Sequence, residues 1–411
     1  MGPLHEREET DFQLIEWRQP SSSTPSRFRG LLVANAYPSE AAIYRNGFLH
    51  RRVLAYREAG VETEVFYLHP PATESYEYEY EGVRVVVGDA RAYERHIGEN
   101  SYDSYMIHFA TPSMVRPLRT NSVTSPITIW IHGFEAESWH RRWFNFVSDP
   151  ATIRAAVRKK REYYDAQLAF MRELYTDDSL DLRIVNVSKW FQNFVVEPDA
   201  GVELSHGEVI PNFIDDKIFE YRPKLEDDRL KILSIRPYAS RKYANDLTVK
   251  AIQELATRPY FSRLQFTLYG EGALFHETIA PLDGFDNVAI HNRFLAQAEI
   301  PNVHGEHGIF LTPTRFDSQG VSMCEAMSSG LVPVGTDVSA ISEFVADGVS
   351  GLLAPSEDAI ALADQVERLY FNPELYLRLS AAATESVRAS CGRGNTIERE
   401  LLLIQRGVRR A

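Results

Sequence analysis

Residues 309–335 read IFLTPTRFDSQGVSMCEAMSSGLVPVG. A short apolar run from Ile309 enters a polar loop, Asp317–Gly320, and an apolar helical stretch starts near Val321. Gly330 follows as a left-handed helix terminator, and Val332-Pro333-Val334 begins a second buried strand. A strand, tight loop, helix and strand in this order belong to a parallel α/β sheet. The loop aims backbone N–H groups and a helix N-terminus outward from the strand end, a ready anion site suited to a diphosphate. Gly320 permits close backbone approach. Asp317 and Glu325 put two carboxylates eight positions apart around that helix start.

The same alternation extends in both directions. Candidate strands in the first half are Leu31–Ala34, Glu64–Leu68, Val83–Val87, Tyr105–Phe109, Ile127–Ile131 and Arg183–Val187. Helical segments such as Gly47–Ala59 lie between them. The pattern restarts with Lys231–Ile235, Gln265–Tyr269, Val288–Ile290, Ile309–Thr312, Val332–Val334 and Gly351–Leu353. A helix over Asn245–Ala256 is predicted from Leu247, Ala251, Ile252 and Leu255. The expected fold class is therefore α/β, with two Rossmann-like domains in tandem facing an interdomain cleft. The expected divisions are a polar extension over 1–27, a first domain over 28–212, a second over 213–390 and a C-terminal helix over 391–411 that returns to the first domain. Ligands of open α/β sheets bind outside the carboxyl ends of the strands, so the chemistry should lie on loops lining the cleft.

Composition narrows the partners. The chain has 411 residues, with 44 Lys and Arg against 57 Asp and Glu, a net charge of −13. That balance argues against a nucleic-acid partner, which needs clustered basic residues. The two cysteines, Cys324 and Cys391, make no disulfide framework and no metal-ligand pattern. The acidic pairs Asp177-Asp178, Asp215-Asp216 and Asp227-Asp228 lie in turns or connectors, and none follows a buried strand. No metal and no cofactor are expected. Met1–Arg27 lacks the apolar core of a signal peptide. No run approaches the roughly 20 apolar residues needed to cross a bilayer. The expected location is the cytoplasm, with peripheral contact at the inner membrane face left open; the oligomeric state is not readable.

The 309–335 stretch resembles the donor-site motif of glycosyltransferase family 4, whose pattern runs E-x-F-G-x-x-x-x-E-A-M-A-x-G-x-P-V. Glu325-Ala326-Met327, Gly330, Pro333 and Val334 match, and Asp317 takes the first Glu position. Ile210-Pro-Asn-Phe-Ile-Asp215 is similar to the family's interdomain I-P-N-G-I-D, with Phe213 replacing the glycine. Ser234-Ile-Arg236 followed by Arg241-Lys242 is similar to the G-R-…-K-K-G turn. The resemblance implies the GT-B fold and a donor diphosphate held by Arg236, Lys242 and the loop Ser318, Gln319, Gly320 and Val321. Arg241 competes with Lys242 for the second cation. It also implies donor-sugar contacts for Asp317, ribose contacts for Glu325, and a base near Arg293 and Phe294. His132, at the end of a buried strand, would face the sugar, with His108 a weaker candidate. Tyr269-Gly270-Glu271-Gly272 resembles the family's G-x-G turn. The loop before Gly47 lacks the family's paired glycines, so contacts by Arg45 or Asn46 rest on position alone.

The activity so implied is a retaining, metal-independent transfer of a hexose-type sugar from a UDP- or GDP-type donor to a glycan, lipid-linked or small-molecule acceptor. His132, Asp317 and Glu325 would be its catalytic residues. The alternatives are a non-catalytic partner of the same fold, or an epimerase or inverting enzyme on it. A dehydrogenase is disfavoured because Ala34-Asn35-Ala36-Tyr37 stands where Gly-x-Gly-x-x-Gly would follow the first strand. Residues 134–165 hold Trp139, Trp143, Phe144 and Phe146 among Arg141, Arg142, Arg158, Lys159, Lys160 and Arg161. They suit a saccharide, a lipid-linked acceptor or a membrane face, and equally a helical hairpin with an aromatic core.

Overall fold

The apolar runs become fourteen strands among the described residues of the computed structural model, which are 28–42, 45–145, 150–204 and 207–406. The polar extension 1–27 and Phe146 lie outside them. The first eight strands are β1 Arg29–Ala34, β2 Glu62–Leu68, β3 Tyr76–Tyr80, β4 Val83–Gly88, β5 Ser104–His108, β6 Ile127–Ile131, β7 Leu182–Asn186 and β8 Gly207–Val209. They form one sheet in the order β3-β4-β2-β1-β5-β6-β7-β8, parallel except for the β3–β4 pair. The remaining six are β9 Lys231–Ile235, β10 Gln265–Gly270, β11 Val288–Asn292, β12 Ile309–Leu311, β13 Val332–Thr336 and β14 Leu352–Ala354. These pair in parallel in the order β11-β10-β9-β12-β13-β14.

The period-2 alternation of side chains explains the two layers over the first sheet. Leu31, Val33, Ile107 and Ile129 point to one face, with Phe170 and Met171. Leu32, Ala34, Met106 and Trp130 point to the other, with Val53 and Tyr56 of the helix Gly47–Glu58. Ile397 and Ile404 belong to that second layer. They come from the helix Ile397–Ile404, which leaves the long helix Pro373–Cys391 of the second sheet and crosses back to the first. Its anchor is a buried charge cluster. Arg52 Nε donates to both oxygens of Glu400, at 3.1 and 3.0 Å, Trp130 Nε1 donates to Oε1 at 3.0 Å, and Tyr56 Oη to Oε2 at 2.5 Å.

The chain passes between sheets once more, near Pro211. Ile210 and Phe213 pack in the first core, Ile214 and Phe219 in the second. Strand order reverses at β1/β5 in the first sheet and at β9/β12 in the second, so each sheet has one crevice at its carboxyl ends. The loops after β9 and β12 carry the residues singled out above. Among the described residues of 134–165 there is no helical hairpin. Two short turns, Phe134–Ala136 and Trp139–Asn145, precede the helix Pro150–Lys159, which buries no residue. No helix among the described residues is long and apolar enough to cross a membrane.

Candidate functional site

The loop after β9 is held by backbone from the neighbouring strand. Arg236 N donates to Tyr269 O at 3.1 Å, and Tyr238 N to Glu271 O at 2.9 Å. Gly270 and Gly272 have φ of +151° and +146°. A Cβ on Gly270 would sit 2.0 Å from the Arg236 carbonyl oxygen. This Gly-x-Gly turn thus serves as a close-packed buttress for the loop.

Arg236 is the central cation. It is 4% exposed, and its Nε is buried without a partner. Nη1 donates to Ser322 Oγ at 3.3 Å, Nη2 lies 3.9 Å from Asp317 Oδ2, and the guanidinium sits 5.0 Å over the Tyr243 ring. A buried guanidinium so sparsely paired is suited to receive an anion. Lys242 Nζ lies 5.6 Å from the same ring and has no carboxylate within ion-pair distance among the described residues. Arg241 is exposed and lines a separate cavity with Trp143, Asp246 and Lys250.

Asp317 is wedged against these cations. Burial alone would raise its carboxyl, but Lys242 and Arg236, with the Gln319 and Gly320 amides, hold it below the usual carboxylate range. Oδ1 accepts from Gly320 N at 3.0 Å and Gln319 N at 3.3 Å. This corrects the expectation of free amides at those two positions, because an aspartate closes such a turn on its own backbone. The side chains of Ser318 and Gln319 are committed to bonds within the protein. Ser318 Oγ donates to His132 O at 2.5 Å. Gln319 Oε1 accepts from Asn212 N at 2.7 Å and Asn212 Nδ2 at 2.9 Å, locking the loop to the interdomain passage. At the helix start the amides of Val321, Ser322 and Met323 precede the first helical bond, Cys324 N to Gly320 O. Gly320, at φ +83°, takes the left-handed conformation that starts this helix.

Glu325 stands on the same helix, half-buried, and no donor reaches it among the described residues. Burial pushes its carboxyl up to about 8. A carboxylate without protein donors is an acceptor suited to ligand hydroxyls.

The opposite wall comes from the first sheet. His132 Nε2 and His108 Nδ1 share a hydrogen bond of 2.9 Å. Burial holds both imidazoles well below their ordinary pKa, with the neighbouring His132 ring second for His108 and Arg52 second for His132, so neither carries a charge near neutral pH. Phe48 and Phe109 flank the His132 ring at 5.3 and 4.6 Å between centroids. The His132 and Gly133 amides are taken by the Glu135 carboxylate, at 2.6 and 3.0 Å.

Arg293 and Phe294 follow the edge strand β11, two strands from β9. Arg293 is exposed, pairs with Glu299 at 3.1 Å, and lies 5.5 Å over the Tyr269 ring; Phe294 is half-buried. Asn46, at φ +51°, bonds Asn35 Oδ1 and the Ala36 carbonyl, shaping the loop after β1. Sequence reasoning missed three bridges across the cleft: Arg51 Nε to Gln297 Oε1 at 2.9 Å, Ser240 to Asn145 at 3.3 Å, and Glu343 to the Lys189 and Trp190 amides at 2.9 Å. No local sequence signal marks them, since each pairs residues more than 90 positions apart. Among the described residues no group of three or more His, Cys, Asp or Glu is placed to hold a metal ion.

Residues 230–372, the segment that carries Arg236 and Lys242, match the sequence model of the family Glycosyl transferases group 1. The chain is similar to alpha-D-kanosaminyltransferase of Streptomyces kanamyceticus, 28% identical over 160 residues, covering 38% of this chain and 40% of that protein. It spans half or less of the length of the curated relatives it matches. Among solved structures it is similar to sucrose-phosphate synthase of Thermosynechococcus elongatus, with TM-score 0.71, 15% identity, and 92% and 98% of the two chains covered. Anabaena Alr3699/HepE, solved with UDP and glucose, gives TM-score 0.62 at 14% identity, covering 90% and 98%. The fold is GT-B: two Rossmann-like domains across a cleft, with a C-terminal helix crossing back.

Proposed function

We propose that this chain is a glycosyltransferase that takes a sugar from a nucleoside-diphosphate sugar of the UDP or GDP type. One observation carries the reading. At the second sheet's strand reversal, Arg236 with its unpartnered Nε, Lys242, and the open N-terminus of the helix Val321–Ser328 converge beside the donor-free carboxylate of Glu325. Cations and amides suit a diphosphate, and a lone carboxylate suits vicinal hydroxyls. The family match over 230–372 covers this same segment, and the kanosaminyltransferase likeness agrees with it.

In the mechanism we propose, the bond from the sugar's anomeric carbon to the diphosphate oxygen breaks, and its electron pair stays on the diphosphate. Arg236, Lys242 and the Val321 and Ser322 amides stabilise the developing charge. An acceptor hydroxyl attacks the anomeric carbon from the face the leaving group departs, and its proton passes to the leaving phosphate oxygen. The anomeric configuration is retained. Asp317, pinned by two amides, presents Oδ2 toward Arg236 and the sugar, and the neutral His132 orients the sugar from the opposite wall. Because the chain itself supplies the cations, turnover should persist with excess chelator. Nucleoside diphosphate release from a panel of nucleotide-sugars, with NMR of the product linkage, tests the scheme. Activity abolished by chelator and restored by manganese would contradict protein-borne charge stabilisation, and an inverted linkage would contradict the same-face attack.

Glu325 gives a pH signature. In the free protein its carboxyl is pushed up to about 8. Hydroxyl donors favour the ionised form, so binding lowers that pKa and releases a proton. Affinity for an intact nucleotide-sugar should therefore climb between about pH 6 and 8 by up to about tenfold per unit, then level off. Calorimetry across that range should show the slope in the wild type and a flat, weaker profile in Glu325→Gln. A slope that persists in the variant would remove Glu325 from the donor site.

A further inference from the structure

On the opposite wall, a line of rings leads away from the cleft. We propose that this line, His132, Phe109, Phe134 and Tyr163, is the acceptor track, and that it holds an extended saccharide chain. The proposal rests on the donor reading above and deepens it, because it names the acceptor class.

The spacing fits a track. Phe109 lies 4.6 Å from His132 between centroids, Phe134 6.3 Å from Phe109 at 21° between planes, and Tyr163 6.3 Å from Phe134 at 29°. Near-parallel rings that far apart are offset rather than superposed, and Phe109 and Tyr163 are half-buried. Phe134 is 36% exposed. The first step depends on an unusual backbone. Phe109 has φ +61°, a conformation costly for a bulky side chain, directly after β5 at the first sheet's strand reversal. That turn carries its ring against His132.

Beyond Tyr163 opens a cavity of about 530 Å³, where Arg116, Glu162 and Glu173 share the lining with Pro112, Ala166 and Phe170. Thr111 Oγ1 is buried without a partner. Aromatic faces attract the polarised C–H face of a pyranose, while its hydroxyls remain at the ring edge for polar groups to take. An alkyl chain would desolvate the charged groups of Arg116, Glu162 and Glu173 without replacing their hydrogen bonds, and would leave the Thr111 hydroxyl without a partner. The combination of a ring line with charged groups beside it, including the exposed Phe134, therefore favours a saccharide.

Saturation-transfer NMR with hexasaccharides of glucose, mannose, galactose and N-acetylglucosamine, each with UDP or GDP present, tests this on the full chain. At least one hexasaccharide should bind the wild type. Phe134→Leu, which keeps apolar bulk but removes the ring, and Tyr163→Ala should each weaken it about three- to tenfold. Thr111→Val, with every ring in place, should weaken it as well, and melting curves verify folding of all three. Binding of no hexasaccharide, or equal binding by wild type and variants, would overturn the track, as would binding of dodecyl phosphate alone. Nucleotide binding is read in the same wild-type samples: nucleotide binding without saccharide binding that depends on the track residues defeats the track alone, and binding of neither UDP nor GDP defeats the donor reading.

Discussion

Arg236→Ala should lower turnover about 100- to 1000-fold, the usual cost of removing one preorganised donor from a site of developing negative charge. The expectation follows from how little of the guanidinium the protein uses. Its Nε is unpartnered, one Nη reaches Ser322 at 3.3 Å, and the other approaches Asp317 only to 3.9 Å. Arg236→Lys should be intermediate, because it keeps the charge but loses the planar fork. Steady-state kinetics on the donor that the panel selects, with near-UV circular dichroism to verify the fold, is the check. A loss below about fivefold would mean that Lys242 and the helix N-terminus carry the diphosphate without it.

The second large effect concerns how the domains are fastened. Glu400→Ala should cost about 3–5 kcal/mol of stability, as breaking a buried ion pair does. The Glu400 carboxylate accepts from Arg52, Trp130 and Tyr56 at once, and both charged partners are fully buried. Removing it leaves a buried guanidinium, an indole N–H and a phenol without their acceptor. The melting temperature should fall on the order of 10 °C. Arg52→Met combined with Glu400→Leu should be milder than Glu400→Ala, since the double change removes both charges. A shift of only a degree or two in Glu400→Ala would show that the C-terminal helix is held by Ile397 and Ile404 instead.

The strands were legible because most are apolar runs buried on both faces. β1, β5, β6 and β13 read directly as such. The two strands that reasoning missed fail that test. β3, YEYEY, is a mostly exposed edge strand with a single antiparallel partner, and β8 has only three half-buried residues. Within the site, residue types and their places after β9 and β12 were readable, because the strand-loop-helix pattern fixes where such loops point. Hydrogen-bond direction was not. Asp317 turns onto its own amides, and Gln319, in the middle of the loop, reaches Asn212 more than a hundred residues away. The aromatic and basic composition of 134–165 likewise did not reveal that Phe134 and Tyr163 line up with Phe109 while the basic helix Pro150–Lys159 stands clear of the core.

The proposed chemistry stands or falls on whether protein-borne cations at the β9 and β12 loop ends hold a nucleoside diphosphate. Calorimetric titration of UDP and of GDP into the protein with excess chelator isolates that role, comparing the wild type with Arg236→Ala combined with Lys242→Ala. Saturable binding of at least one nucleotide is expected in the wild type. It should weaken at least about a hundredfold in the double variant, which removes two charge-assisted hydrogen bonds. Binding that requires an added divalent ion, or that is equally tight in the double variant, would refute the role given to Arg236 and Lys242.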